Sequence, residues 1–140
     1  MRSLRFFFIL LAIGALIGSA NLISAESAPP ALEARSSDAE GVRVVVQPRT
    51  NAPVDGKWEF NVSMNTHTKP LNDDLVRVSV LIDDAGHRLI PLAWQGDPPG
   101  GHHRKGVLQF RVEDAKPKSV ELQIEGVGGA EKRVFQWQLN

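Results

Sequence analysis

From Gly41 onward, apolar side chains recur at every second position. Val42, Val44 and Val46 alternate with Arg43, Val45 and Gln47, and Pro48 closes the run. Trp58, Phe60, Val62 and Met64 alternate with Glu59, Asn61 and Ser63. A period of two puts one face of a strand on a core and the other in water. The same period predicts a third strand with Val76, Val78, Val80 and Ile82 inward and Arg77 and Ser79 outward, ended by a turn at Asp83-Asp84-Ala85-Gly86. His87 to Leu92 reads as a fourth strand, at an edge because Pro91 has no N–H for a ladder. Leu108, Phe110 and Val112 mark the fifth, Val120, Leu122 and Ile124 the sixth, and Phe135, Trp137 and Leu139 the seventh. No long helical period interrupts them, although Leu71 to Leu75 has room for one helical turn, with Asp73-Asp74 as cap residues. Seven strands at this spacing predict an all-β domain over residues 41–140. The expected form is an immunoglobulin-like seven-stranded sandwich, with a small Greek-key barrel as the alternative. Trp58 and Trp137 lie on alternating apolar faces and are expected in the core.

The N-terminus follows a different pattern. Arg2 and Arg5 precede an apolar run from Phe6 to Ile17, the arrangement of a secretory signal. Gly18 and Ala20 suit cleavage after Ala20; a cut after Ala25 would place Ile23 three residues before the break. Retention as a membrane anchor is the other alternative, because Phe6 to Ile23 is long enough to span a bilayer. Residues 1–25 are therefore read as a signal peptide or N-terminal anchor helix. Residues 26–40 carry Pro29-Pro30, serines and acids without an apolar period, and are read as a disordered linker. The expected location is extracytoplasmic, periplasmic or secreted, with membrane contact only through an uncleaved N-terminal segment.

Composition narrows the chemistry. The 140 residues carry 16 basic and 16 acidic side chains and no cysteine. Balanced charge leaves no footprint for nucleic acid. The absence of cysteine removes disulfides, thiolate ligands and cysteine nucleophiles, so burial alone must hold the domain. Ser63, Ser79 and Ser119 lie in or beside strands with no nucleophile-elbow pattern, and an enzyme is not expected. Gly126-Val127-Gly128-Gly129 leads into a strand rather than a helix, so it is read as a hairpin connection and not as a phosphate cradle.

In an immunoglobulin strand order, three polar loops share one end: 65–74, 94–105 and 126–132. That end would collect His67, His102 and His103 with Asp73, Asp74 and Asp97, while His87 falls at the opposite end. Imidazole with a carboxylate suits zinc or copper, which makes His67, His102, His103 and Asp97 candidate metal ligands. Adjacent residues on a strand point to opposite faces, so His102 and His103 could share an ion only if the chain turns between them. Structural bracing of the loops is the competing reading for all three histidines. Arg104-Lys105 reads as a solvated charge pair. Trp94, beside glycine and proline, is the candidate partner contact, with packing over the core end as its alternative.

The stretches FNVSMNTHT, LIPLAWQGDPPGGHHRKGVLQF and RVFQWQL resemble small exported or membrane-tethered bacterial β-domains carrying THT and GGHHR segments. The resemblance spans most of Trp58 to Leu139. It implies a stand-alone extracytoplasmic domain and implies no reaction. The sequence thus predicts a non-enzymatic extracytoplasmic binding module with an envelope protein as partner and no required cofactor. A histidine-based zinc- or copper-binding domain is the alternative.

Overall fold

The computed structural model describes residues 32–112 and 116–139. The signal or anchor segment expected over 1–25, and residues 26–31 of the expected linker, lie outside the described residues. Within them the chain forms β1 (Arg35–Ala39), β2 (Val42–Pro48), β3 (Lys57–Thr66), a helical turn α1 (Leu75–Val78), β4 (Ser79–Asp83), β5 (Arg88–Leu89), β6 (Pro91–Gly96), β7 (His103–Arg111), β8 (Ser119–Glu125) and β9 (Lys132–Gln138). One sheet has the order β1-β2-β3-β7-β6 and the other β5-β4-β8-β9. All neighbours are antiparallel.

The expected inward faces supply one core shared by both sheets. Val42, Val44 and Val46, then Trp58, Phe60, Val62 and Met64, meet Leu122, Ile124, Phe135 and Trp137, all buried. Phe60 sits at the centre of an aromatic cluster. Its ring lies 5.4 Å from Trp58, 5.6 Å edge-on from Phe110 and 5.8 Å from Trp137. Both indole N–H groups reach backbone carbonyls at the core's margin, Trp58 to Thr50 at 3.1 Å and Trp137 to Glu33 at 2.7 Å. Large apolar area is thus buried without an orphaned donor.

Four local expectations are corrected. First, residues 35–39 are not linker but strand β1, paired with β2 from Arg35↔Val46 to Ala39↔Val42. Glu40 and Gly41 both take positive φ, +52° and +73°, which is the two-residue hairpin geometry that matches strand twist. β1 shows no apolar alternation because backbone pairing and Arg133, not a greasy core, hold it. Second, the third strand starts late and in the opposite phase. Asp74 caps α1 by accepting the Val76 N–H, the chain stays helical through Val78, and the buried residues become Ser79 and Leu81. A strand entered one residue out of step exchanges its faces.

Third, the fourth strand divides. Arg88 and Leu89 pair with β4 in one sheet, and Pro91 to Gly96 pair with β7 in the other. The chain changes sheets at Ile90, next to the proline that cannot donate. Fourth, Trp94 belongs to β6, opposite Leu108, rather than to a loop. No helix among the described residues is long and apolar enough to cross a membrane.

Candidate functional site

The β3–β4, β6–β7 and β8–β9 connections do meet at one end, and backbone hydrogen bonds join them. Thr66 N–H donates to the His102 carbonyl at 2.9 Å, and Leu71 N–H to the Gly101 carbonyl at 3.0 Å. Gly100 N–H returns to the Leu71 carbonyl at 2.8 Å. Lys69 Nζ donates to the Gly128 carbonyl at 2.7 Å, tying the third loop to the first. Gly128 has φ +66°, and a Cβ there would run into Val42 Cγ2, so this close approach requires glycine.

The centre of this end is an arginine, not a histidine. Arg104 was expected as a solvated charge, but only 2% of its surface is exposed. It points inward from β7 beside Met64, its cross-strand neighbour. Its Nη1 donates to the Leu71 carbonyl at 2.9 Å and the Asp73 carbonyl at 2.8 Å, and Nη2 reaches the Asp97 carbonyl at 3.5 Å. The guanidinium carbon lies 5.7 Å from the centroid of the Trp94 ring, a cation–π distance. Burial pulls the guanidinium below its ordinary pKa, and the charges of Asp73, Asp97 and Asp74 oppose that pull. Five donors in a fixed fork explain why arginine fills the position: one side chain can serve carbonyls from two loops. Lys105, the other half of the pair, is exposed as expected.

Trp94 forms the floor under Arg104. It is half-buried against the core, and its indole N–H donates to the Asp97 carbonyl at 2.9 Å. The ring covers the paired glycines Gly96 and Gly106; a Cβ on Gly106 would stand 2.7 Å from the Trp94 ring. Asp97 closes the β6–β7 connection. Its carboxylate accepts the Lys105 N–H at 2.9 Å, and its own N–H donates to the Lys105 carbonyl at 3.0 Å.

The structure brings the histidine-bearing segments together but leaves the imidazoles on the outside. His67, His102 and His103 are all exposed. His103 Nδ1 lies 2.7 Å from Asn65 Oδ1, across the β3–β7 pair. His67 borders a groove of about 520 Å³ shared with Asp38, Glu40, Arg43 and Asn65. The chain does turn at Gly100 and Gly101, with φ +114° and +68°, but ahead of the histidine pair rather than within it. Among the described residues no group of three or more histidine, aspartate and glutamate side chains is placed to hold an ion. His87 lies apart from this end, in the β4–β5 turn, with Nδ1 2.8 Å from Asp83 Oδ2.

No family model, curated protein or solved structure matches the chain. The site must therefore be read from its own geometry. That geometry offers a loop end whose backbone is held by an internal cation and whose polar side chains face outward.

Proposed function

We propose that this chain is a non-enzymatic, extracytoplasmic binding module that engages a protein partner through the end of the sandwich held by Arg104. The single observation behind the reading is a buried arginine that spends its donors on loop carbonyls. Loops fixed in this way lose little conformational freedom on binding, so more of the contact energy is expressed as affinity. The exposed ring of His67, His102 and His103, with Trp94 and Arg104 beneath it, supplies polar contacts on a rigid base.

The strand orders support an immunoglobulin-type reading. β2-β3-β7-β6 against β5-β4-β8-β9 corresponds to the A-B-E-D and C′-C-F-G arrangement. In such sandwiches, loops at one end are a recurrent binding surface. The signal-like pattern of residues 1–25 supports an envelope location.

Site-specific photo-crosslinking tests the proposal in cells. A crosslinker at position 102 or 67 should give one adduct of defined mass, and a crosslinker at Val54, in the hairpin at the opposite end, should give none. Equal labelling from both ends, or no adduct, would remove the proposal. The metal alternative is separated by zinc and copper titration of the purified chain. Near-stoichiometric uptake, abolished by His67→Ala or His102→Ala, would favour metal handling by His67, His102, His103 and Asp97 instead.

A further inference from the structure

We propose that the pole of the sandwich opposite Arg104 rests on a lipid bilayer, with Val54, Ile90 and Leu92 against the membrane interface and the Arg104 end turned away from it.

Strand direction separates the two poles. β1 pairs Arg35 with Val46 and Ala39 with Val42, so it runs toward the loop end and the chain before it comes from the other pole. That approach is fastened. The Glu33 carbonyl accepts the Trp137 indole N–H at 2.7 Å, and the Leu32 carbonyl accepts the Gln47 amide at 3.3 Å. β7 begins at His103, opposite Asn65, and ends at Arg111, opposite Lys57. The β2–β3 hairpin therefore belongs to the pole where the N-terminal segment joins, and Val54 closes it by bridging Lys57. The change of sheet reaches the same level. Ile90 precedes Pro91, which pairs with Phe110, and Phe110 pairs in turn with Trp58.

Exposed apolar side chains concentrate there. Ile90 is 74% exposed, Val54 54% and Leu92 46%. None of the three belongs to the shared core. The fourth large apolar side chain exposed among the described residues, Val134, lies apart from them, opposite Gln123 on β8. Such residues scattered singly need no account, but three at one end of a small domain mark a contact surface.

The sequence preceding Leu32 supplies the occupant. Phe6 to Ile23 is long enough to span a bilayer. Only eight residues, 24–31, separate it from Leu32. Fully extended they reach about 30 Å. With residues 1–25 retained as an anchor, so short a tether keeps this pole at high effective concentration over the bilayer. Apolar contact, not net charge, carries the docking. Exposed Lys57, Arg88 and Arg111 are interspersed with exposed Asp55 and Asp84. Aliphatic side chains enter the headgroup boundary, while lysine and arginine stems lie along it with their charges in water. Val54 then meets lipid rather than protein, and the loop end projects away from the membrane. The proposal rests on the anchor reading of residues 1–25 and is independent of what the Arg104 end binds.

The chain has no cysteine, so one introduced cysteine carries one dye. The full-length chain is reconstituted in phosphatidylcholine vesicles with an environment-sensitive fluorophore at Val54→Cys, Ile90→Cys or His102→Cys. Emission from positions 54 and 90 should be blue-shifted relative to position 102 and quenched by spin-labelled lipid, and position 102 should escape quenching. Adding Leu92→Asp to Ile90→Cys should reverse the shift while leaving circular dichroism and flotation with the vesicles unchanged. Emission from 54 and 90 as water-exposed as that from 102, in a chain that floats with the vesicles, would overturn the docking and leave the anchor standing. A chain that does not float would overturn the anchor reading, and the proposal with it. Quenching at 54 and 90 that appears only when phosphatidylglycerol is added would overturn the apolar basis of the contact.

Discussion

Arg104 and Arg133 are buried to the same extent, each 2% exposed, yet they fasten different parts of the molecule. Arg104 gathers the β3–β4 and β6–β7 loops at one end. Arg133 closes a side seam: it donates to the Ser37 carbonyl and Oγ at 3.1 Å, the Ala39 carbonyl at 2.9 Å and the Val127 carbonyl at 3.1 Å. Burial lowers the pKa of both, and nearby carboxylates oppose it, Asp38 and Glu40 in the case of Arg133. Each leaves only its Nε without a partner. Neither is a salt bridge in the usual sense. Each guanidinium donates to several backbone carbonyls at once, and the comparison separates an arginine that ties β1 to the β8–β9 turn from one that ties two loops together.

Replacing Arg133 should have the largest effect. Arg133→Met removes the side-chain hydrogen bonds that tie β1 to the β8–β9 turn and should cost about 3 kcal/mol in urea unfolding. The loss should be accompanied by fast amide exchange along Arg35–Ala39. Arg104→Met should cost somewhat less, about 2 kcal/mol, because the loop carbonyls can turn to water. Its exchange signature should fall on Leu71 and Gly100 and spare β1. If both variants loosened the same amides, the division of labour between the two arginines would be wrong.

Trp94→Phe sharpens the contrast at the loop end alone. It keeps the apolar floor, loses the hydrogen bond to Asp97, and weakens the ring face under Arg104. A loss of about 1 kcal/mol is expected, smaller than that of Arg104→Met and not additive with it.

Asp83 shows what an ordinary surface pair contributes by comparison. Burial pushes its carboxyl up. The His87 N–H, the His87 ring and the Ala85 N–H more than offset this and hold it below the usual value of 3.8. A depressed carboxyl contributes stability that is present above its unfolded pKa and fades as pH falls through its folded one. Asp83→Asn should therefore lower the unfolding free energy slightly at pH 6, by less than about 1 kcal/mol in urea titration. The difference from wild type should shrink toward pH 3. The smallest effect belongs to the exposed histidines: replacing His67, His102 and His103 together with alanine should change stability by less than about 0.5 kcal/mol.

The two-sheet architecture was legible because burial follows period two over most of the chain. Val42–Val46, Trp58–Met64, Val120–Ile124 and Phe135–Trp137 all bury the faces their alternation predicts. The failures have one cause, tertiary contacts that replace an apolar pattern. β1 is held by backbone pairing and by Arg133, which no local period reports. The phase of β4 depends on how many residues α1 consumes after the Asp74 cap, and Val76 and Val78 read equally well as strand or as helical turn. Ile90 marks a change of sheet that Pro91 hinted at but did not locate. At the candidate site, the meeting of the loops could be anticipated from strand order. The role of Arg104 could not, because Arg104-Lys105 looks like any charged strand start. The one available signal was phase: counting back by twos from the inward Leu108 reaches Gly106 and then Arg104.

Amide hydrogen exchange at Leu71 and Gly100 tests the central claim most directly, since these N–H groups close the contact between the two loops that Arg104 holds. A rigid binding end predicts strand-like protection at both sites in the native chain and its loss in Arg104→Met, with the Val44 and Val62 amides still protected. Exchange at Leu71 and Gly100 as fast as in an open loop, or protection that survives the loss of Arg104, would contradict the account.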